Sequence, residues 1–302
     1  MSSQLKNIAI IGGSGSVGKI ILDALVSDTR FNVTALARAS STSTFPAGVT
    51  VRNTGYSNAD LVEAFKGQDA VISVVGLSGF GQQTSFIDAA ITAGVKRFIP
   101  SEFSSNTLSP AVLEMLPVFG QKKEVLDYLK KKETSGLTWT AIWPALLFDS
   151  GLKNGFLEFD LKSRTATIWD KGTSKFTLTD DDQLGRAVIA VLDRPDQTAN
   201  KNVYVASFET SQKEILTALE KATATKWTVT DTTAEKEVAE ATEKIGKGDF
   251  SGAYALVRAT SFANTSGLRA NYVRDEELSN ESLGLEFGTV EQTVSRVVGG
   301  LA

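Results

Sequence analysis

The chain has 302 residues, 42% hydrophobic and 22% charged, with a net charge of -4 and a pI near 5.2. That suits one large α/β unit or such a unit with a smaller lobe, and it argues against a nucleic acid or an anionic membrane as partner. There is no cysteine and no histidine, which excludes disulfides, thiolate nucleophiles, imidazole or cysteine metal ligation and a Ser-His-Asp triad, and leaves acid–base work to Lys, Tyr, Asp, Glu, a hydroxyl relay or a bound cofactor.

The polar lead Met1–Asn7 runs straight into a β-branched strand, NIAIIG (7–12), leaving no room for a signal peptide. GKIILDALVSD (18–28) has helical apolar spacing, and FNVTALAR (31–38) and VTVRN (49–53) read as the second and third strands. Between them lies the most loop-like stretch, SSTSTFPAG (40–48). NADLVEAFKG (58–67) is a helix capped by Asn58 and stopped by Gly67. DAVISVVG (69–76) is the fourth strand, TSFIDAAITAG (84–94) a helix ending at glycine, and KRFIPS (96–101) the fifth strand. The next helix starts at Pro117 and is closed by Gly136, and LTWTAIW (137–143) is the sixth strand. Strands apolar on both faces and alternating with helices predict an α/β, Rossmann-type doubly wound parallel sheet with right-handed crossovers.

After residue 150 the pattern loosens. Residues 165–195 read as strand, glycine turn, strand and helix, and KNVYVASF (201–208) as a further strand. SQKEILTALEKATA (211–224) is an amphipathic helix, WTVTDTT (227–233) a strand and AEKEVAEATEKIGKG (234–248) a surface helix. This is α+β material for a smaller C-terminal lobe over the carboxyl edge of the sheet. No apolar run approaches membrane-spanning length, so the expected location is cytoplasmic.

IIGGSGSVGKI (10–20) leaves the first strand and opens the first helix. It fits G-x-x-G-x-x-G through Gly12, Gly15 and Gly18, and G-x-G-x-x-G through Gly13, Gly15 and Gly18. Such glycines allow a tight turn, close approach of a pyrophosphate and helix-on-strand packing, while the helix start offers free N–H groups. The contacts expected here come from Gly12, Gly13, Ser14, Gly15, Ser16, Val17 and Gly18. A Walker A loop is disfavoured, because Lys19 is followed by Ile20. Where NAD sites place an acid at the end of the second strand, this chain has Arg38 followed by Ser40, Ser41 and Thr42. Guanidinium pairs with a 2′-phosphate that a carboxylate would repel, so the expected cofactor is NADPH. The domains read as 1–150, an NADP-binding Rossmann domain, and 151–302, a smaller substrate-binding lobe interleaved with the Rossmann sheet.

On the helix VFGQKKEVLDYL (118–129), Val118, Phe119, Val125, Leu126 and Leu129 share one face, with Lys122 in its middle. Burial there would lower the lysine's pKa and suit it to general acid–base work; a lysine snorkelling to water is the other possibility. Tyr128 and Lys132 have the Tyr-x-x-x-Lys spacing of many Rossmann reductases, and Ser101 ends the preceding strand. Tyr128, however, lies about 120° around the helix from Lys122 and deeper along it, away from the crevice at the helix starts. Lys123 is expected to be a solvated lysine.

IIGGSGSVGK, LAR, GQDAVISVVG, AGVKRFIPSEF, the lysine helix and SGLTWTAIWPALLFDSGL together resemble the NmrA-like, isoflavone-reductase-like branch of the atypical short-chain dehydrogenases. The likeness covers about the first 190 residues well. The family includes NADPH-dependent reductases of isoflavones, lignans and phenylcoumaran ethers, and nitrogen-repressor relatives that bind the dinucleotide without known turnover. The resemblance implies that Lys122, three residues after Phe119, is the catalytic acid/base, that Val75 and Gly76 run beside the ribose-phosphate, and that Pro100, Phe103 and Pro144 wall the nicotinamide. It implies a small-molecule substrate, aromatic or conjugated, with Phe103, Phe148, Phe156 and Phe159 as lining candidates, no metal, and a monomer or homodimer; the alternative it carries is a non-catalytic NADP(H) sensor. Three family features differ here. Leu126 stands where plant reductases often have an arginine, residues 39–51 add no second basic group, and Asn53–Gly55 replace a common acid.

Overall fold

The computed structural model describes residues 4–300; the first three residues of the polar lead and the last two of the C-terminal lobe lie outside the described residues. The first half runs β1 (Asn7–Ile11), α1 (Ser16–Ser27), β2 (Asn32–Arg38), β3 (Thr50–Thr54), α2 (Asn58–Phe65), β4 (Ala70–Ser73), α3 (Gln83–Thr92), β5 (Arg97–Ile99), α4 (Pro110–Met115), α5 (Gly120–Lys131) and β6 (Thr138–Trp143). The second half runs β7 (Leu146–Leu147), α6 (Phe148–Lys153), β8 (Phe159–Asp160), β9 (Thr165–Trp169), β10 (Phe176–Thr179), α7 (Asp181–Asp193), α8 (Pro195–Thr198), β11 (Lys201–Tyr204) and β12 (Phe208–Thr210). It ends with α9 (Gln212–Thr223), β13 (Thr228–Thr232), α10 (Ala234–Gly246), α11 (Gly252–Phe262), α12 (Tyr272–Asp275), α13 (Asn280–Leu283) and α14 (Val290–Gly299).

Seven strands form one parallel sheet in the order β11-β6-β5-β4-β1-β2-β3. Alternation along the strands supplies two cores. Ile8 and Ile10, with Ile72, Ile99 and Ile142, face α1 and α7. Ala9 and Ile11, with Val71, Phe98 and Trp143, face α2, α3 and α5. Gly185 lets α7 lie close on α1, since a Cβ there would sit 2.6 Å from that of Ala24. The strand order reverses around β1, between β2 and β4, which puts a ligand crevice at their carboxyl ends.

β3 is the sheet edge, which explains its exposure along most of its length. β4 ends at Ser73, short of the expected 76, because Val74–Gly76 leave the sheet at the crevice and enter a 3₁₀ turn, Leu77–Gln82. α5 begins at Gly120, after a separate 3₁₀ turn over Pro117–Phe119. The expected strand 201–208 divides. Lys201–Tyr204 joins β6, whereas Ser207 N–H donates to Leu178 and turns the chain into a second sheet, β12-β10-β7. A third sheet, β13-β9-β8, completes the strands. Among the described residues no helix is long and apolar enough to cross a membrane.

Candidate active site

β1 delivers the glycine loop to the crevice. Gly12 turns at φ 82°, and a Cβ there would lie 2.3 Å from the Val74 carbonyl oxygen. A Cβ at Gly18 would lie 2.2 Å from the Gly12 oxygen and 2.8 Å from Gly13 Cα. Both glycines are demanded by the protein's own packing. At Gly13 a Cβ would meet side chains rather than backbone, the end of the buried Leu22 at 2.7 Å and Ile10 at 3.3 Å. Gly15 is different: it has ordinary backbone angles (φ -74°, ψ 171°) and room for a Cβ, whose nearest neighbour would be 3.4 Å away. It precedes a twelve-residue helix with no side-chain cap and no acid in its first turn. The protein's own packing does not require glycine at 15, and the bare backbone there leaves room for a group to approach the helix start. Of the two glycine spacings, the one through Gly12, Gly15 and Gly18 has its outer two glycines demanded by packing and its central one left open.

A cavity of about 970 Å³ opens over this loop. Gly12, Ser14, Gly15, Arg38, Ser40, Val75 and Gly76 line it together, as do Ser41 and Thr42. Arg38 is the charged side chain of that lining and no carboxylate joins it. Ser41 N–H donates to the Arg38 carbonyl (2.8 Å) and Ser43 N–H to the Ser41 hydroxyl (3.2 Å), curling the hydroxyl-rich loop over the end of β2. Gly13, Ser16, Val17 and Gly18 are not part of the lining. A cavity of similar size, about 990 Å³, lies beside β11, but it carries Glu276, Glu277 and Glu281 and would repel phosphates.

The cavity also contains residues that the sequence did not single out: Tyr56, Gly79, Gln82 and Phe86. Tyr56 sits at φ 61°, its N–H on the Thr54 hydroxyl (3.0 Å) and its ring 5.9 Å from that of Phe86. Nothing in TGY (54–56) marks it beforehand; only the parallel register of β2 and β3 brings Thr54 beside Arg38.

Pro100, Phe103 and Pro144, expected around a nicotinamide, lie at the carboxyl ends of β5 and β6, are buried and do not line the cavity. Phe103 packs into the α1–α7 core. Phe148 and Phe159 are buried in the lobe core, with Phe156 partly buried against it.

Lys122, in the first turn of α5, is only 4% exposed. Its Nζ donates to the Glu102 carbonyl (2.9 Å) and the Ser104 hydroxyl (2.9 Å). The rings of Phe80 and Phe119 each lie 4.7 Å from it. Burial brings its pKa down to about 8, against the upward pull of the Glu102 carboxylate. Glu102 is itself buried, which pushes its pKa up, while Lys122 and the Thr107 hydroxyl (2.8 Å) favour its ionised form. Lys122 does not line the cavity. Its link to it runs through Ser101, whose N–H donates to Gln83 Oε1 (2.8 Å) and whose hydroxyl donates to the Val75 carbonyl (2.8 Å).

Lys123 pairs with Asp127 at the surface (2.6 Å). Tyr128 donates to Asp88 (2.6 Å), and Lys132 lies 3.3 Å from the same carboxylate. Both belong to a half-exposed α3–α5 network rather than to the crevice.

The NmrA-like family model matches residues 4–268. Oxidoreductase aprR of Aspergillus flavus is 38% identical over 296 residues, 97% of this chain and 99% of that one. The isoflavone reductase homolog IRL of Zea mays is 30% identical over 240 residues, 74% of this chain and 76% of that one. Among solved structures, the binary complex of leucoanthocyanidin reductase with NADPH from Vitis vinifera superposes with a TM-score of 0.76 at 19% identity, covering 97% of this chain and 99% of that one; it shares the fold.

Proposed function

The chain belongs to the NmrA-like family, and from that premise we propose that it is an NADPH-dependent oxidoreductase that reduces a small aromatic or conjugated substrate, with Lys122 as general acid/base. The observation that carries the cofactor is Gly15, a glycine that the protein's packing leaves free, facing a cavity whose charged side chain is Arg38. Gly12, Ser14 and Gly15, which line the cavity, would hold the pyrophosphate on backbone N–H groups, and Arg38, with Ser40–Thr42, the 2′-phosphate. In this reading residues 1–150 supply most of the dinucleotide unit and 151–302 the substrate lobe. When bound, the dinucleotide supplies the hydride. Lys122 supplies the proton: near pKa 8 it donates and accepts at neutral pH.

Purified protein should oxidise NADPH in the presence of a conjugated carbonyl or quinone-like acceptor. Lys122→Ala should bind NADPH normally and lose roughly 100-fold or more in turnover. Acting as an acid in the reductive direction, Lys122 should give a kcat/KM that falls above about pH 8. Full turnover by Lys122→Ala would remove the lysine from the chemistry.

A second reading is a dinucleotide sensor, and the enclosure of Lys122 favours it: an amine at 4% exposure with two hydrogen bonds has a structural use. NADPH binding without turnover across a broad acceptor panel would support it.

A further inference from the structure

The 3₁₀ turn Leu77–Gln82 faces two ways. Ser78, Gly79 and Gln82 line the dinucleotide cavity. Phe80, between them in sequence, turns its ring inward to the Lys122 amine. Phe80 and Phe119 meet edge to face at 6.1 Å and 71°, and each is about as buried as Lys122. The ammonium therefore packs against both rings, to one side of the pair.

The turn is also fastened to the segment that holds the lysine from the other side. Gln83, 1% exposed, donates from Nε2 to the Phe80 carbonyl (3.3 Å) and accepts the Ser101 N–H at Oε1 (2.8 Å). Residues 102 and 104, immediately following, supply both of the hydrogen-bond acceptors of Lys122. One side-chain amide thus joins the cavity turn to the lysine's cradle.

We propose that Phe80 is a positioning residue whose ring holds the Lys122 ammonium, and that the turn carrying it couples occupancy of the dinucleotide cavity to that ammonium. The coupling rests on the cofactor reading above; the role of Phe80 in the free protein does not. Charge over the face of an aromatic ring is stabilised, most of all where water is excluded. The rings thus oppose the burial that drives the amine toward neutrality. The acid that faces Lys122 is Glu102; its other polar neighbours are the Ser104 hydroxyl and, behind Ser104, the neutral Tyr272, whose hydroxyl donates to the Ser104 carbonyl. A ligand displacing the turn would move one ring and, through Gln83, the opposite hydrogen bonds.

The test is the titration of Lys122 itself, by competitive acetic anhydride labelling across pH 6–11 with mass-spectrometric readout, in wild type, Phe80→Leu and Phe80→Tyr. Lys123 in the same region is the internal control. Phe80→Leu keeps apolar bulk and removes the ring; it should lower the Lys122 midpoint by about one pH unit, a roughly tenfold loss of proton affinity. Phe80→Tyr should restore it. An unchanged midpoint in a folded Phe80→Leu protein, or a tyrosine variant behaving like the leucine one, overturns the positioning role. Saturating NADP⁺, with binding verified by calorimetry, should shift the wild-type midpoint and shift that of Phe80→Leu by less than half as much. Binding with no shift in wild type overturns the coupling alone. Absence of binding overturns the cofactor reading and the coupling together, while the labelling of the free protein still decides Phe80.

Discussion

Lys122, Gly18 and Gly15 show how much a single position reveals. Lysine in the middle of an apolar stripe was legible from spacing alone, because Val118, Phe119, Val125, Leu126 and Leu129 surround it on the helix. Of its partners only Phe119 lies on that face; Phe80, Glu102 and Ser104 come from two other segments that no local spacing connects to it. A buried lysine with a folded-state pKa near 8, against the usual 10.5, binds fewer protons than the unfolded chain between those values. Stability therefore rises with pH through that window, and below about pH 8 the buried charge weighs against the fold in full. Unfolding free energy should accordingly rise between about pH 8 and 10.5 in the wild type and lose that rise in Lys122→Met; the same pH dependence in both proteins would contradict this. The glycines separate the same way. Gly18→Ala forces a contact of 2.2 Å with backbone and should cost about 2 kcal/mol or more in urea denaturation. Gly15→Ala should fold as wild type yet weaken NADPH binding by about tenfold, because the added methyl stands where a phosphate would approach.

At the scale of elements, the regular part of the chain could be read and the crossings could not. Alternating strands and helices up to residue 143 carry apolar residues on both strand faces, so their order and type follow from pattern. The stretch 201–208 has one apolar pattern but serves two sheets; the break at Ser207 depends on a partner in β10 that no local signal names. α11 and α14 lie where no element was expected, although Thr289 and Gln292 form a capping box that marks the start of α14. Arg97 is the clearest case of an element held from afar. It is 2% exposed, donates to the hydroxyls of Thr138, Thr140 and Thr198 and to the Pro195 carbonyl, and so pins α8 beneath β5 and β6. Arg97→Met should leave the buried hydroxyls of Thr140 and Thr198, the half-buried one of Thr138 and the Pro195 carbonyl short of their donor and lower stability by about 2–4 kcal/mol, measured as a fall in the urea midpoint with little change in slope. An unchanged midpoint would show that α8 is held by other contacts.

For the molecule as a whole, the parallel sheet places the glycine loop, Arg38 and the Val74–Gln82 connection around one crevice, because β2, β1 and β4 are neighbours whose carboxyl ends meet there. Binding to the folded state alone stabilises it, by about 2.7 kcal/mol at a hundredfold excess over Kd, so NADPH should raise the melting temperature more than NADH at equal concentration. Arg38→Ala should cut that preference by about tenfold and leave NADH binding unchanged. The most direct measurement is a crystal structure with NADP⁺ bound. The pyrophosphate should lie over Gly15, the 2′-phosphate against Arg38, and the Lys122 Nζ within about 3–4 Å of the nicotinamide ribose or of a substrate atom above the ring. An ordered dinucleotide with its nicotinamide end remote from a still-enclosed Lys122 would contradict the catalytic assignment.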